Sequence, residues 1–356
     1  MLKRRVRSLP GLARIWQRIP YTNVNLGQQS RANTAPIPIP SCTLGRMPSK
    51  ITRTGFFVVA LLIGAGIAQA GVLFVSDIPN ATIWRFDATT GTPLATFASG
   101  GPLTSPVGLT FGPGGDLFVS DFGSDSILRY SLDGTFIGVF ANVSFPIMGA
   151  FGPDGNFYVS SAGDNAVEKF DGVTGAFISQ VVPTDALMAV DGIRFGPDGN
   201  LYVADSLGNT ITRYALDGSP LGTFISGPGL DGVNNLIFGP DGTAYVSNSN
   251  ASNILHYSAS GVFIDVLGST SPLVPFGLTL SPDGSLYAGC GCTGDGEILR
   301  FDINTKQSDV LVPAGTNGLS DVEDVLFSAV PEPSTFGMLA FGFGLCAFKL
   351  MRRRRR

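Results

Sequence analysis

Three oxygen-bearing residues are the strongest candidates for chemistry in this chain of 356 residues: Asp191, Asn234 and Glu323. Each stands four residues before a recurring landmark, namely Phe195, Phe238 and Phe327. Two carboxylates and an amide oxygen suit a hard divalent cation such as Ca2+, which takes roughly 6–8 oxygen ligands, water included. A cation held there would bind a sugar hydroxyl or polarise a carbonyl. The plainer reading is that the three solvate a channel mouth or cap local turns. Asn235 and Asp324 lie beside them. The single histidine, His256, falls in Asn253–Tyr257 in the register that Arg129, Arg213 and Arg300 occupy elsewhere. It therefore reads as a strand position open to solvent, not as a catalytic base. No Walker A or HExxH pattern occurs. Cys290 and Cys292 follow SLYAG in what reads as a polar loop. They are read as thiols or a loop-local disulfide, because two thiolates alone make an incomplete zinc site.

The elements that must position these residues are repeats. The phrase FGPGGDLFVSD begins at Phe111, FGPDGNFYVSS at Phe151, FGPDGNLYVAD at Phe195, FGPDGTAYVSN at Phe238 and LSPDGSLYAGC at Leu280, with spacings of 40, 44, 43 and 42 residues. A period in the forties built of several short strands marks a propeller blade. In one unit, Ala189–Phe195 reads as a first strand, Pro197-Asp198-Gly199 as a tight turn, and Asn200–Ala204, Thr210–Ala215 and Leu221–Ile225 as the remaining strands. Ile211 and Tyr214 recur at i, i+3, which a simple half-buried strand does not predict; a bulge would account for it. Gly71–Asp77 matches a second strand whose first is missing, and Asp321–Ser328 matches a first strand with nothing after it. Joined, they make six blades closed by a C-terminal strand. The expected fold is thus all-β: a six-bladed propeller of four-stranded antiparallel blades over 71–329. First strands line the channel of such a ring, so Val107, Ile147, Asp191, Asn234, Phe276 and Glu323 would share one mouth. Asp77, Asp121, Asp205 and Asn248 recur at strand ends, where turn-making hydrogen bonds are expected.

The charges are segregated. Ten Lys/Arg and no acid lie in 1–70, six and no acid in 349–356, and all 27 acids lie between Asp77 and Glu332 among only 7 bases. An acidic middle repels phosphates, which argues against a nucleic-acid partner. Phe56–Ala68 is an apolar run of 13 residues, preceded by Lys50 and Arg53 and followed by Ala68-Gln69-Ala70. That is a secretory signal peptide over 47–70, too short for an ordinary spanning helix of about 20 residues. Residues 1–46 are an over-extended reading frame with Met47 as the true start, or else a long basic leader. At the other end, Pro331-Glu332-Pro333 precedes the apolar Thr335–Met351 and then Arg352–Arg356. This is a rigid spacer, a short C-terminal membrane helix and a basic stop held in the cytoplasm.

The segment Val330–Arg356 resembles the PEP-CTERM sorting signal of exopolysaccharide-producing Gram-negative bacteria. The resemblance implies recognition by an exosortase-type sorting protease, cleavage near Pro331, Glu332 and Pro333, and a membrane-anchored precursor delivered across the inner membrane to the cell surface or matrix. The repeats, as in ADSLGNTITRYALDG (Ala204–Gly218) and SDFGSDSILRYSLDG (Ser120–Gly134), resemble NHL repeats, which again implies a six-bladed propeller. The mouth triad is similar to the metal site of gluconolactonase and senescence-marker-like propellers. The likeness maps their Glu to Glu323 and their Asn/Asp pair to Asn234 and Asp191 in swapped order. Virginiamycin B lyase-like propellers are a second enzymatic relative; they rely on a histidine, and His256 is not expected at the mouth.

Taken together, the sequence reads as an exported surface or matrix propeller acting as a binding module for exopolysaccharide or surface proteins. No catalytic residue is assigned. The alternative is a metal-dependent, gluconolactonase-like hydrolase or lyase with a cation at Asp191, Asn234 and Glu323.

Overall fold

A computed structural model describes residues 71–270, 273–291 and 296–329. The expected signal peptide and C-terminal helix lie outside these residues. Six four-stranded antiparallel sheets stand around a central channel. Their inner strands are Pro106–Phe111, Pro146–Phe151, Val190–Phe195, Val233–Phe238, Val274–Leu280 and Val322–Ser328. Each packs beside the next, and Val322–Ser328 meets Pro106–Phe111 to complete the circle. The last of these strands pairs with the first strand of the chain, Val72–Asp77, which carries Thr82–Asp87 and the two-residue Ala98–Ser99 outside it. The blade assembled from both ends of the propeller is therefore present as expected, and ring closure removes the exposed edges of an open sheet.

Second strands such as Leu201–Asp205 and Ala244–Asn248 are buried at every residue. A blade has a neighbour on each face, so an unbroken apolar run is stable where alternation would otherwise be required. The core is accordingly divided among the gaps between blades. Met148, Tyr158, Val182, Ile193 and Leu201 fill one gap, and Tyr202, Leu236, Val246 and Leu255 fill the next. The third strands follow the same logic. Ile211 packs into one gap and Tyr214 into the other, so i, i+3 spacing places one anchor on each face. The irregularity lies in the partner strand. Ile211 pairs with Ile225 and Thr212 with Thr223, leaving Phe224 as the extra residue of the outer strand.

The turns use the expected chemistry. Gly199 sits at φ 75°, its N–H donates to the Gly196 carbonyl at 2.9 Å, and Asp198 accepts from the Asn200 N–H at 3.1 Å. Glycine enters that region without a Cβ penalty.

Two expectations are corrected. Cys290 is not in a loop: it is buried within the strand Ser285–Gly291, and Cys292 lies outside the described residues. His256 does hold the predicted register, but it is only half-buried rather than open to solvent. It stacks on Tyr245 with ring centroids 4.6 Å apart, and its Nδ1 lies 3.4 Å from Asp265. The same cross-strand position pairs an aromatic with an Arg, Lys or His side chain in every blade: Phe74 with Arg85, Phe118 with Arg129, Tyr158 with Lys169, Tyr202 with Arg213, Tyr245 with His256 and Tyr287 with Arg300. His256 is thus the fifth member of a structural series two strands away from the channel.

Candidate functional site

The mouth of the channel is built by one backbone irregularity repeated in all six blades. On Val190–Phe195, Val190 pairs with Asp205 and Ile193 with Val203, so Asp191 and Gly192 together oppose Ala204. Val233 pairs with Asn248 and Asn235 with Ser247, which leaves Asn234 extra. On the closing strand Val322 pairs with Asp77 and Asp324 with Ser76, which leaves Glu323 extra. The register breaks at the same place around Val107, Ile147 and Phe276. A bulge of this kind re-aims the extra residue out of the sheet plane. Close approach between neighbouring inner strands is set by glycine: a Cβ on Gly192 would lie 2.3 Å from the Asn234 carbonyl oxygen, and one on Gly108 the same distance from that of Ile147.

The approach to the mouth is clamped from below by the strand-end residues. Asp205 accepts from the N–H groups of Met188 and Ala189, each at 2.9 Å, and of Gly208 at 2.8 Å. Asp121 accepts from Thr104 N–H at 2.7 Å, Asp77 from Ser320 N–H at 3.1 Å, and Asn248 from Asp231 N–H at 2.5 Å. These residues do more than form local turns. They fasten the connection arriving from the previous blade just before it enters its inner strand.

Asp191 and Asn234 stand on adjacent inner strands and touch: Asn234 Nδ2 donates to Asp191 Oδ2 at 3.3 Å. Glu323 stands three blades from Asp191 around the ring of six. Both carboxyls are half-buried because they face the channel, yet protein surrounds them and raises their pKa values. Asp191 is raised from 3.8 to about 8 by loss of water, against which the Ser206 hydroxyl pulls down. Glu323 is raised from 4.5 to about 8 by loss of water and then by repulsion from Asp321, Asp191 and Asp324. Asp324 is fully in the interior, 2% exposed, and is raised to about 7 by burial; hydrogen bonds from Leu109 and Val325 N–H and attraction to Arg194 limit the rise. Arg194 lies on the same inner strand as Asp191, its Nε donating to the Leu236 carbonyl at 3.3 Å. Burial lowers its pKa and Asp324 offsets part of that.

The sequence reading found three members of this cluster and noted Asp324 as a neighbour. It missed Arg194 and Asp321. Arg194 had one available signal, since it alone among the seven bases of the acidic middle falls on an inner strand.

Two carboxyls and an amide at the mouth, with Asp324 and Arg194 within electrostatic influence of each other in the channel wall, form an array of polar groups with perturbed protonation, of a kind found at ligand-facing sites and in structural networks alike. As a cation cage the array is incomplete. Asn234 Nδ2 donates to Asp191, which leaves its Oδ1 as the atom that would face a cation, but among the described residues no three His, Cys, Asp or Glu side chains are grouped closely enough to hold a metal. The other three mouth residues, Val107, Ile147 and Phe276, are apolar.

Comparison with known proteins agrees with this architecture. The model of the virginiamycin B lyase family matches residues 67–301, and the PEP-CTERM protein-sorting motif matches 329–356. That motif indicates export and surface sorting. None of the curated proteins matches the chain. Among solved structures, a nidogen/laminin complex aligns with a TM-score of 0.59 at 17% identity, covering 72% of this chain and 98% of the other. A protein of unknown function from Bacteroides caccae aligns at 0.57 and 13% identity, covering 72% and 98%. A structure described as a candidate gluconolactonase aligns at 0.51 and 20% identity, covering 62% and 81%. At these identities the likeness establishes the six-bladed fold alone. The family match spans about two thirds of the sequence, and on that ground the chain belongs to the virginiamycin B lyase family.

Proposed function

We propose that the protein is an exported binding module whose channel mouth faces outward and takes up a ligand of the cell surface or extracellular matrix. One observation carries this reading. The propeller's first strand residue, Val72, pairs with its last, Ser328, whereas Asp77 pairs with Val322 beside Glu323. Both chain connections therefore leave from the end opposite the mouth. A propeller tethered or delivered through a tail after Ser328 presents the Asp191, Asn234 and Glu323 end away from its point of attachment. The sole histidine stays two strands out, held by Tyr245 and Asp265, so the mouth has no imidazole base. The test is retention of the full-length chain on exopolysaccharide and surface extract from its producing cells. Binding that falls when mouth residues are replaced supports the reading, and an absence of binding to either material removes it.

A second reading is favoured by the proximity of Asp191 and Asn234: a divalent cation at Asp191, Asn234 and Glu323 that serves a gluconolactonase-like hydrolysis or a lyase reaction. A cation would offset the loss of water that raises both carboxyls and the repulsion that adds to it at Glu323. Titration calorimetry with Ca2+, Mn2+ and Zn2+ decides it. Binding that strengthens from pH 6 to pH 8.5 and disappears in Glu323→Ala is the expected result. Heat that is absent, or unchanged in that variant, removes this reading.

A further inference from the structure

The backbone is strained at one exposed aromatic residue on the mouth face. Phe145 takes φ 47°, the only aromatic among the non-glycine residues with positive φ in the described chain. Bulky side chains avoid that region, and strain of this kind collects at ligand clamps. Its neighbours force it. Phe145 N–H donates to Asp125 Oδ1 at 2.9 Å, and its carbonyl accepts from Ala162 N–H at 3.0 Å. The equivalent latch two blades on joins Asn209 to Gly232 N–H at 2.7 Å, and there glycine holds the left-handed conformation at φ 72°. The fold can therefore use glycine at this step, and this blade carries phenylalanine instead.

The side chain so placed is 38% exposed. It lies against Phe122 with ring centroids 4.7 Å apart and planes at 30°. Phe122 is itself fixed by its N–H to the Ser105 carbonyl at 2.9 Å. Together the rings form a shelf over a junction between blades, two residues before Ile147 at the mouth. Asp125 lies beside the shelf, and Asp191 is on the next inner strand. At 4.7 Å and 30° the two rings lie face against face, so the exposed side of this stacked pair, bordered by carboxyl and amide groups, matches a sugar ring: C–H groups on its face, hydroxyls at its edge.

We propose that Phe145, backed by Phe122, is a stacking platform for a saccharide ring, with Asp125 and the mouth carboxyls receiving its hydroxyls. This rests on the reading of the mouth as a binding end and names the class of ligand it takes. The full-length, detergent-solubilised chain is run through gels containing mixed-linkage β-glucan, xylan or alginate. Retardation by at least one of them is expected, weakened at least tenfold in Phe122→Ala and in Phe145→Gly. Phe145→Gly separates binding from folding, since glycine relieves the left-handed strain and the variant should melt no lower than the parent. Retardation unchanged in both variants overturns the proposal. So does an absence of retardation in all three gels by a chain that still binds its own surface extract, or retention on an amphipathic peptide in place of the polysaccharides. A chain that binds neither gel nor extract would overturn the binding-module reading as well.

Discussion

The mouth carboxyls set a pH dependence at the scale of single residues. Asp191 and Glu323 rise to about 8 and Asp324 to about 7, from ordinary values of 3.8 and 4.5. The folded protein thus holds more protons at the mouth than the unfolded chain does. Stability from these groups is complete below about pH 4, declines as pH rises from there, and is fully lost once pH has passed through the folded-state values of about 7 and 8. Tm measured from pH 5 to pH 9 should fall up to about pH 8, the folded-state value of Asp191 and Glu323, and level off above it. The double replacement Asp191→Asn with Glu323→Gln should flatten the fall; a parent curve that rises from pH 7 to pH 9 would contradict the assignment. The types of these residues were legible in the sequence, and so was their shared register. Their protonation was not, because it depends on how completely the channel wall excludes water. His256 shows the opposite case. Its register was correct from sequence, and its Tyr245 stack and Asp265 contact emerged only from the cross-strand geometry.

At the scale of elements, the bulge decides what the mouth contains. An unbulged strand would put Asp191 and Gly192 into regular alternation, with the carboxylate in a gap between blades. The sequence marked a possible irregularity on the third strand, whereas the structure places irregularities on the inner and outer strands. The signal for the inner bulge was the glycine after Val107, Asp191 and Phe276, whose use becomes clear from the neighbouring strand that lies where a Cβ would be, a carbonyl at Gly108 and Gly192 and Asp324 at Gly277. Gly192→Ala forces Asn234 and its strand to move, because the obstruction at 2.3 Å is backbone rather than a flexible side-chain tip. A destabilisation of about 1–3 kcal/mol is expected from overpacking of this kind. Denaturant unfolding should register it, and a variant as stable as the parent would show that the strands have room to separate.

The whole molecule depends on the closing strand. Val322–Ser328 supplies the inner edge of the first blade, and its Val322 and Val325 fill the gap shared with Tyr287 and Ile298. A chain ending before Asp321 loses that wedge and exposes the edge of Val72–Asp77. It should lose its cooperative thermal transition and gain a tendency to associate, as sedimentation and calorimetry would reveal. An unchanged transition would mean that the ring tolerates an opening. Closure also fixes direction: Val322 is at the mouth and Ser328 at the far end, so the closing strand runs away from the Glu323 end of the propeller.

The sequence by itself determined the blade count, the all-β class, the pairing of the two ends and the position of the sorting motif. Those are properties of period and composition: a repeat of about 43 residues with a glycine turn in each unit can bury its strands only against copies of itself. What the tertiary structure alone decided is the content of the mouth. Asp191, Arg194, Glu323 and Asp324 are separated by up to 133 residues along the chain, and only ring closure brings them within electrostatic reach of one another. The Phe122–Phe145 shelf is of the same kind. Its two rings belong to successive blades, and the left-handed backbone at Phe145 is held by a hydrogen bond to Asp125 of the preceding blade that no local pattern encodes.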